Sequence, residues 1–285
     1  MGRIDEALKR TSGAPPELPA RSAQQFGAAW TVTDDDVRVE PGAEPAGLAT
    51  RDGAPSGALL RFSSQWRERL AAGPDGHLGL TEQFRRLAAT LHHAHLTNGL
   101  RDVMLTSASP NDGKTLTAVN LAIVLAESYR YRVLLIDADL RRPSIPNVDD
   151  MHNGCGLSDA LTAQTEQKLA LVPITSRLTL LPAGRPIANS LEALTSPRMR
   201  QILDEAATRF DWVVLDAPPV GAATDARLLA QMVGGTLFVV RAGETQAPDV
   251  QKAVDALGRE QILGVVLNGV EDTGATDYYY GPAKD

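Results

Sequence analysis

Cysteine occurs once in the 285 residues, at Cys155. One thiol closes no internal disulfide and has no companions for a thiolate metal site, so a reducing, cytoplasmic setting is expected. Long apolar runs are also missing. No stretch approaches the ~20 residues needed to cross a bilayer, and the first residues lack the apolar centre of a signal peptide. Myristoylation of Gly2 is excluded because Glu6 stands where serine or threonine is wanted. Excess positive charge is the third absence. Against 28 Lys and Arg there are 35 Asp and Glu, a net charge of -7, which argues against nucleic acid as a partner.

What is present, 43% hydrophobic and 22% charged residues, suffices for one α/β core with an appendage. Residues 1–75 hold 7 of the 18 prolines and 8 of the 24 glycines among many alanines. Such a composition buries too little apolar surface to offset ordering entropy, so most of this stretch is expected to be flexible. Residues 3–10 are the exception. Ile4, Ala7 and Leu8 share one helical face and form a short amphipathic turn suited to docking on a partner, or a frayed helix.

The pattern from about Thr81 to His93 predicts a helix with Phe84, Leu87 and Leu91 on its buried face and Glu82, Arg85 and Arg86 on its charged one. His92, His93 and His95 at its end fit solvated side chains or favourable charges at a helix C-terminus better than metal ligands. Strands are expected at 103–106, 133–136, 178–181, 212–215, 236–240 and 263–267. Helices are expected from about Leu116 to Glu127, near 156–161, from Pro197 to Phe210 and from Val250 to Leu257. Strand and helix alternate, which predicts a mostly parallel sheet with helices on both faces.

Three strand ends carry chemistry. After the strand at 103–106 comes Ala108-Ser109-Pro110-Asn111-Asp112-Gly113-Lys114-Thr115, a degenerate GxxxxGK[ST] loop with Ala108 in place of its first glycine. Phosphates need inward-facing N–H groups at a helix N-terminus and a flexible cation, and Gly113-Lys114-Thr115 can supply both. Lys114 would reach the β- and γ-phosphates, and the Thr115 hydroxyl would ligate Mg²⁺. The strand at 133–136 delivers Asp137-Ala138-Asp139-Leu140-Arg141, and the strand at 212–215 delivers Asp216-Ala217-Pro218-Pro219. Acids at the carboxyl ends of buried parallel strands lie where ligands of open α/β sheets bind, making Asp216 a candidate Walker B group. The tail, 271–285, contains Tyr278, Tyr279 and Tyr280, three of the 5 tyrosines, either as accessible hydroxyls or as an aromatic cover on the sheet edge.

Together these elements resemble the bacterial tyrosine kinases (BY-kinases), in particular soluble CpsD/CapB-like autokinases of capsule and exopolysaccharide systems. The carrying residues are the apolar strand with D-x-D-x-R (Walker A′), the apolar strand with D-x-P-P, the loop 109–115 and the tyrosine cluster. The resemblance spans about residues 80–285 and implies a P-loop fold of the ParA/MinD-like branch, with a kinase domain at 76–270. It implies that Ser109, Asn111, Asp112, Gly113, Lys114, Thr115 and Leu116 bind ATP, with Asn268 and Arg241 near the adenine. Thr115, Asp137, Asp139 and Asp216 would surround Mg²⁺, with Asp137 or Asp139 accepting the tyrosine proton, and Tyr278 to Tyr280 would be phosphorylated.

Implied partners are a transmembrane, chain-length-determinant-like adaptor, further copies of the chain in a ring, and a tyrosine phosphatase. The implied location is the inner face of the plasma membrane. Glu82 and Arg85 fit the family's E-x-x-R-x-x-R oligomerisation helix, but Ala88 replaces the second arginine. A ParA/MinD-like ATPase switch would need a lysine where Ser109 stands, and a nucleotide-dependent assembly module is the non-enzymatic alternative.

Overall fold

The computed structural model of the chain describes residues 66, 68–71, 78–145, 156–165, 169–222 and 225–270. The expected docking turn at 3–10, Cys155 and the tyrosine tail lie outside them. In chain order the elements are α1 (Leu78–Asn98), β1 (Asp102–Ser107), α2 (Lys114–Glu127), β2 (Val133–Asp137), α3 (Leu157–Thr162), β3 (Val172–Pro173) and β4 (Leu178–Leu181). There follow α4 (Ser190–Leu194), α5 (Pro197–Arg209), β5 (Trp212–Asp216), α6 (Asp225–Ala230), β6 (Thr236–Arg241), α7 (Ala247–Leu257) and β7 (Ile262–Asn268). Short 3₁₀ turns cover Val220–Ala222 and Arg259–Gln261.

The strands form one sheet in the order β3-β4-β2-β5-β1-β6-β7. Every neighbouring pair is parallel except β3 with β4. Side chains alternate across a strand, so successive residues serve opposite layers. Val103 and Leu105 face one core with Val133, Leu135, Trp212, Val214, Leu237 and Val239, while Met104 faces the other with Leu134, Ile136, Val213, Leu215 and Phe238. Helices α1 and α2 close the first layer, through residues such as Phe84, Leu91, Leu121 and Leu125. Helices α3 to α7 close the second, through Leu161, Leu194, Ile202, Leu229 and Leu257. Continuous apolar runs at β1, β2 and β5 are therefore what a sheet covered on both faces requires.

Helix α1 extends beyond the expected 81–93 because tertiary packing holds its last turn. The His95 ring lies 5.4 Å from Trp212 and 5.2 Å from Tyr131, and its Nδ1 is 2.7 Å from the Leu100 carbonyl oxygen. His92 Nδ1 lies 2.6 Å from the Tyr131 hydroxyl. These two histidines are half-buried in an aromatic cluster, which corrects the expectation of solvated side chains, while His95 does lie in the last turn as the other expectation had it. Gly99, at φ 69°, then ends the helix in the left-handed conformation that glycine tolerates.

The packed domain also reaches back beyond the expected boundary at 76. Leu70 and Ala71 are buried, and Asn120, in the middle of α2, accepts the Ala71 N–H through Oδ1 at 2.6 Å and donates to the Arg69 carbonyl at 3.1 Å. An asparagine inside a helix with 0% exposure would be costly without those partners. Asn120→Ala should therefore lower stability by about 1–3 kcal/mol through the stranded Ala71 N–H. Thermal unfolding checks this, and an unchanged midpoint would show that the contact contributes nothing net.

Candidate active site

The three motif-bearing strands converge by register. Strand β5 lies between β1 and β2, opposing Leu105 to Asp216 on one side and Asp137 to Asp216 on the other. The sequence neighbours β1 and β2 are thus one strand apart, and the gap is filled by the strand carrying the third acid. Backbone bonds continue the match past the strand ends, from Ala138 N–H to the Asp216 carbonyl and from Ala217 N–H to the Leu105 carbonyl.

The loop between β1 and α2 turns through two left-handed residues, Asn111 at φ 68° and Gly113 at φ 92°. Gly113 is required twice over, since a Cβ there would also lie 1.8 Å from Asn268 Nδ2. Helix α2 starts at Lys114, two residues before the expected Leu116, because Gly113 caps it in that conformation. Its first turn therefore contains Lys114, Thr115 and the half-buried Leu116. Ala108 is accommodated at the first loop position, and the close approach there comes from the other side. A Cβ on Gly221 would stand 2.6 Å from the Ala108 carbonyl oxygen.

Lys114 Nζ lies 3.4 Å from Asp139 Oδ2, 4.0 Å from Asp216 Oδ1 and 3.5 Å from Thr115 Oγ1, with all four residues buried. Asp137 is held by donors on both oxygens. Asp139 N–H donates to Oδ1 at 3.2 Å, and Ser144 and Ile145 N–H donate to Oδ2 at 3.3 and 3.2 Å. Burial, followed by the charge of Asp216, pushes the Asp137 carboxyl up to about 8, against the pull of the Ile145 and Asp139 N–H groups. Asp216 is wholly buried, and neither of its carboxylate oxygens has a hydrogen-bond partner. Burial raises it to about 6, with the Lys114 charge and then the nearby Thr115 hydroxyl, which falls short of a hydrogen bond, holding it back and Asp139 adding to the rise.

Orphaned carboxylate oxygens at zero exposure, beside two further acids and a hydroxyl, fit a hard cation that prefers oxygen ligands. Thr115 Oγ1 also lies 3.3 Å from Ser144 Oγ, a neighbour with no sequence signal.

The remaining expected residues stand around this centre. Arg241 Nη1 donates to the Asn111 carbonyl at 3.2 Å, and Asn268 Nδ2 donates to the Asp112 carbonyl at 3.0 Å. Ser109 N–H donates to Asp112 Oδ2 at 2.9 Å. Arg141 does not turn toward Lys114. Its Nε donates to Ser190 Oγ at 2.7 Å and lies 3.2 Å from Asp225 Oδ2, linking the loop after β2 to the starts of α4 and α6. Ser190 and Asp225 were not anticipated, because α4 and α6 are too short to show a helical period. Ala88, the departure in the expected oligomerisation helix, is fully buried, whereas Glu82 and Arg85 are exposed.

A doubly covered parallel sheet with a phosphate-type loop after β1 and acids at the ends of β2 and β5 defines a P-loop nucleotide-binding protein. The family model of an AAA domain matches residues 111–232. The chain is 33% identical over 208 residues to the tyrosine-protein kinase YwqD of Bacillus subtilis, covering 72% of this chain and 87% of that one. It is 35% identical over 202 residues to the tyrosine-protein kinase Etk of Escherichia coli, but those residues are 28% of Etk's length. The solved kinase domain of Etk superposes with a TM-score of 0.62, covering 70% of this chain and 79% of that domain. The chain belongs to the bacterial tyrosine kinase family.

Proposed function

We propose that this protein-tyrosine kinase uses ATP and Mg²⁺ to phosphorylate Tyr278, Tyr279 and Tyr280 of its own tail, between subunits, and so regulates capsule or exopolysaccharide synthesis and export. The observation that carries the reading is Asp216, a fully buried carboxylate without hydrogen-bond partners, 4.0 Å from Lys114 at the meeting point of three strand ends. Thr115, Asp137, Asp139 and Asp216 would hold Mg²⁺, which when bound neutralises charge on the phosphates.

The rest falls to the chain's own side chains. Lys114 neutralises the transferring phosphoryl group, and the N–H groups of the loop orient the triphosphate. A phenol of pKa about 10 needs a carboxylate to take its proton at neutral pH. Asp137 or Asp139 would be that acceptor. Arg241 and Asn268 would flank the adenine.

From Asn268 the tail reaches Tyr278 across ten residues, about 33–36 Å when extended, which is long enough to enter a neighbour's site. Each phosphate would add about -1.5 to -2 charge to a tail that already carries Glu271, Asp272 and Asp277. Accumulated phosphate would then loosen a ring of subunits. No helix among the described residues is long and apolar enough to cross a membrane. A transmembrane adaptor would bring the chain to the inner membrane face, and a tyrosine phosphatase would reset it.

Mixing two variants tests transfer between subunits. A chain lacking residues 271–285 keeps the site without acceptors, and Lys114→Met keeps acceptors without the cation. With ATP, Mg²⁺ and an adaptor fragment, phosphotyrosine should appear on the Lys114→Met chain and vanish when Tyr278, Tyr279 and Tyr280 are all phenylalanine. ATP hydrolysis with unmodified tyrosines would support an ATPase switch instead.

A further inference from the structure

A carboxylate in a loop that must wrap a triphosphate opposes binding unless its charge is committed elsewhere. Asp112 is such a group, 3% exposed, one residue before Gly113. Both of its oxygens are engaged, one within the loop and one outside it. Oδ2 accepts the Ser109 N–H at 2.9 Å, folding the loop onto itself, and Oδ1 accepts the Thr245 hydroxyl at 2.8 Å. Thr245 is fixed in turn, because its Oγ1 accepts the Arg241 N–H at 2.9 Å. The loop's two outward carbonyls, at Asn111 and Asp112, are taken by Arg241 and Asn268. The left-handed Asn111 and Gly113 thus sit between anchors supplied by the ends of β6 and β7, more than 120 residues away in the chain.

We infer that Thr245 is a positioning residue for nucleotide binding: its hydroxyl holds Asp112 outward, which keeps the phosphate loop arched before any ligand arrives. Arg241 and Asn268 hold the same two loop residues that Thr245 braces through Asp112, so the stretch Arg241–Thr245 ties the phosphate cradle to the loop after β6. Loss of the brace removes no phosphate-binding group but lets the loop sample other shapes. Binding then weakens by the fraction of time the arched form is populated. Turnover, once nucleotide is bound, is untouched.

This inference rests on the nucleotide-binding reading of the loop, and the experiment separates the two. The probe is ADP with Mg²⁺, titrated calorimetrically into the full chain, alongside hydrogen exchange of residues 108–116. Thr245→Val, of equal volume without the hydroxyl, should weaken ADP about tenfold, a loss of about 1.4 kcal/mol. Amide exchange in 108–116 should be faster in that variant without ligand. Thr245→Ser, which restores the hydroxyl, should bind within about twofold of wild type. In autophosphorylation assays the KM for ATP should rise by the same factor while kcat at saturation stays within about twofold.

Thr245 is half-buried in a surface loop, so Thr245→Val is expected to fold, and its unfolding midpoint is the check. Wild-type affinity in Thr245→Val overturns the inference. So does a Ser variant as impaired as the Val variant, or a loss confined to kcat. Failure of the wild-type chain to bind ADP would instead overturn the nucleotide-binding reading itself.

Discussion

Lys114→Met should abolish tail phosphorylation, with phosphotyrosine falling at least about a hundredfold below wild type. The magnitude follows from removing a preorganised charge aimed at a developing anion, where a single donor is worth about 10²–10³ in rate. Lys114 is 8% exposed, and its Nζ lies within 4.0 Å of carboxylate oxygens on both Asp139 and Asp216. In the absence of nucleotide its role is to balance those acids. Methionine fills most of the same volume but leaves two buried carboxylates facing each other without a cation.

The lost neutralisation would raise Asp216 further, since Lys114 is the largest influence holding it down. Proton uptake should therefore accompany the substitution, and the variant's unfolding midpoint should be measured beside its activity. Lys114→Arg supplies the sharper control. It keeps the charge but replaces a compact ammonium with a planar fork that cannot occupy the same point between two acids. Loss in both variants, with the fold retained, assigns the effect to geometry at that point. Activity within tenfold of wild type in Lys114→Met would remove Lys114 from the mechanism.

Much of the sheet was legible because its strands are buried on both faces. Continuous runs such as Val133-Leu134-Leu135-Ile136 and Trp212-Val213-Val214-Leu215 cannot be mistaken for half-exposed strands, and the acids that follow them mark their carboxyl ends. What no run reveals is lateral order. That β5 enters between β1 and β2, and so pairs Asp137 with Asp216, is a property of the assembled sheet. The short elements were illegible for a different reason. Helices α4 and α6 have 5 and 6 residues, fewer than two turns, so no period can declare itself. Their importance lies in single residues, Ser190 and Asp225, that receive Arg141.

The supporting shell was hidden likewise. The loop residues at 109–115 could be read from spacing and chemistry, whereas Thr245 stands 133 positions from the aspartate it braces. The histidines at the end of α1 misled because three in four residues, 92–95, suggest a charged, wet terminus. Burial of Trp212 and the ring of Tyr131 draw two of them into the protein instead.

Asp216→Asn should make the ligand-free protein more stable above pH 6 while eliminating kinase activity. The sign follows from linkage. An acid raised from 3.8 to about 6 in the folded chain keeps a proton that the unfolded chain releases. Stability therefore falls as pH rises from about 4 to about 6, and the penalty persists at higher pH. A rise of that size corresponds to about 3 kcal/mol at full effect. An asparagine still buries a polar group there, and it ends the attraction to Lys114, so a net gain of about 1–2 kcal/mol at pH 7.5 is expected. The gain should be larger than that site alone predicts, because the charge of Asp216 is the second cause raising Asp137.

The pH profile is the decisive measurement. Near pH 4 both proteins carry a neutral group at 216 and should differ little, and the gap should open between pH 4 and 7. Adding Mg²⁺ and ADP should raise the wild-type unfolding midpoint and leave the variant's nearly unchanged, since the orphaned oxygens that fit a cation are those replaced. A stabilised, silent variant would mean that the buried charge is retained for function against the interest of the fold. A variant less stable than wild type at every pH would show instead that Lys114 and Asp216 act as a structural pair, and the site would lose its strongest indication of a bound cation.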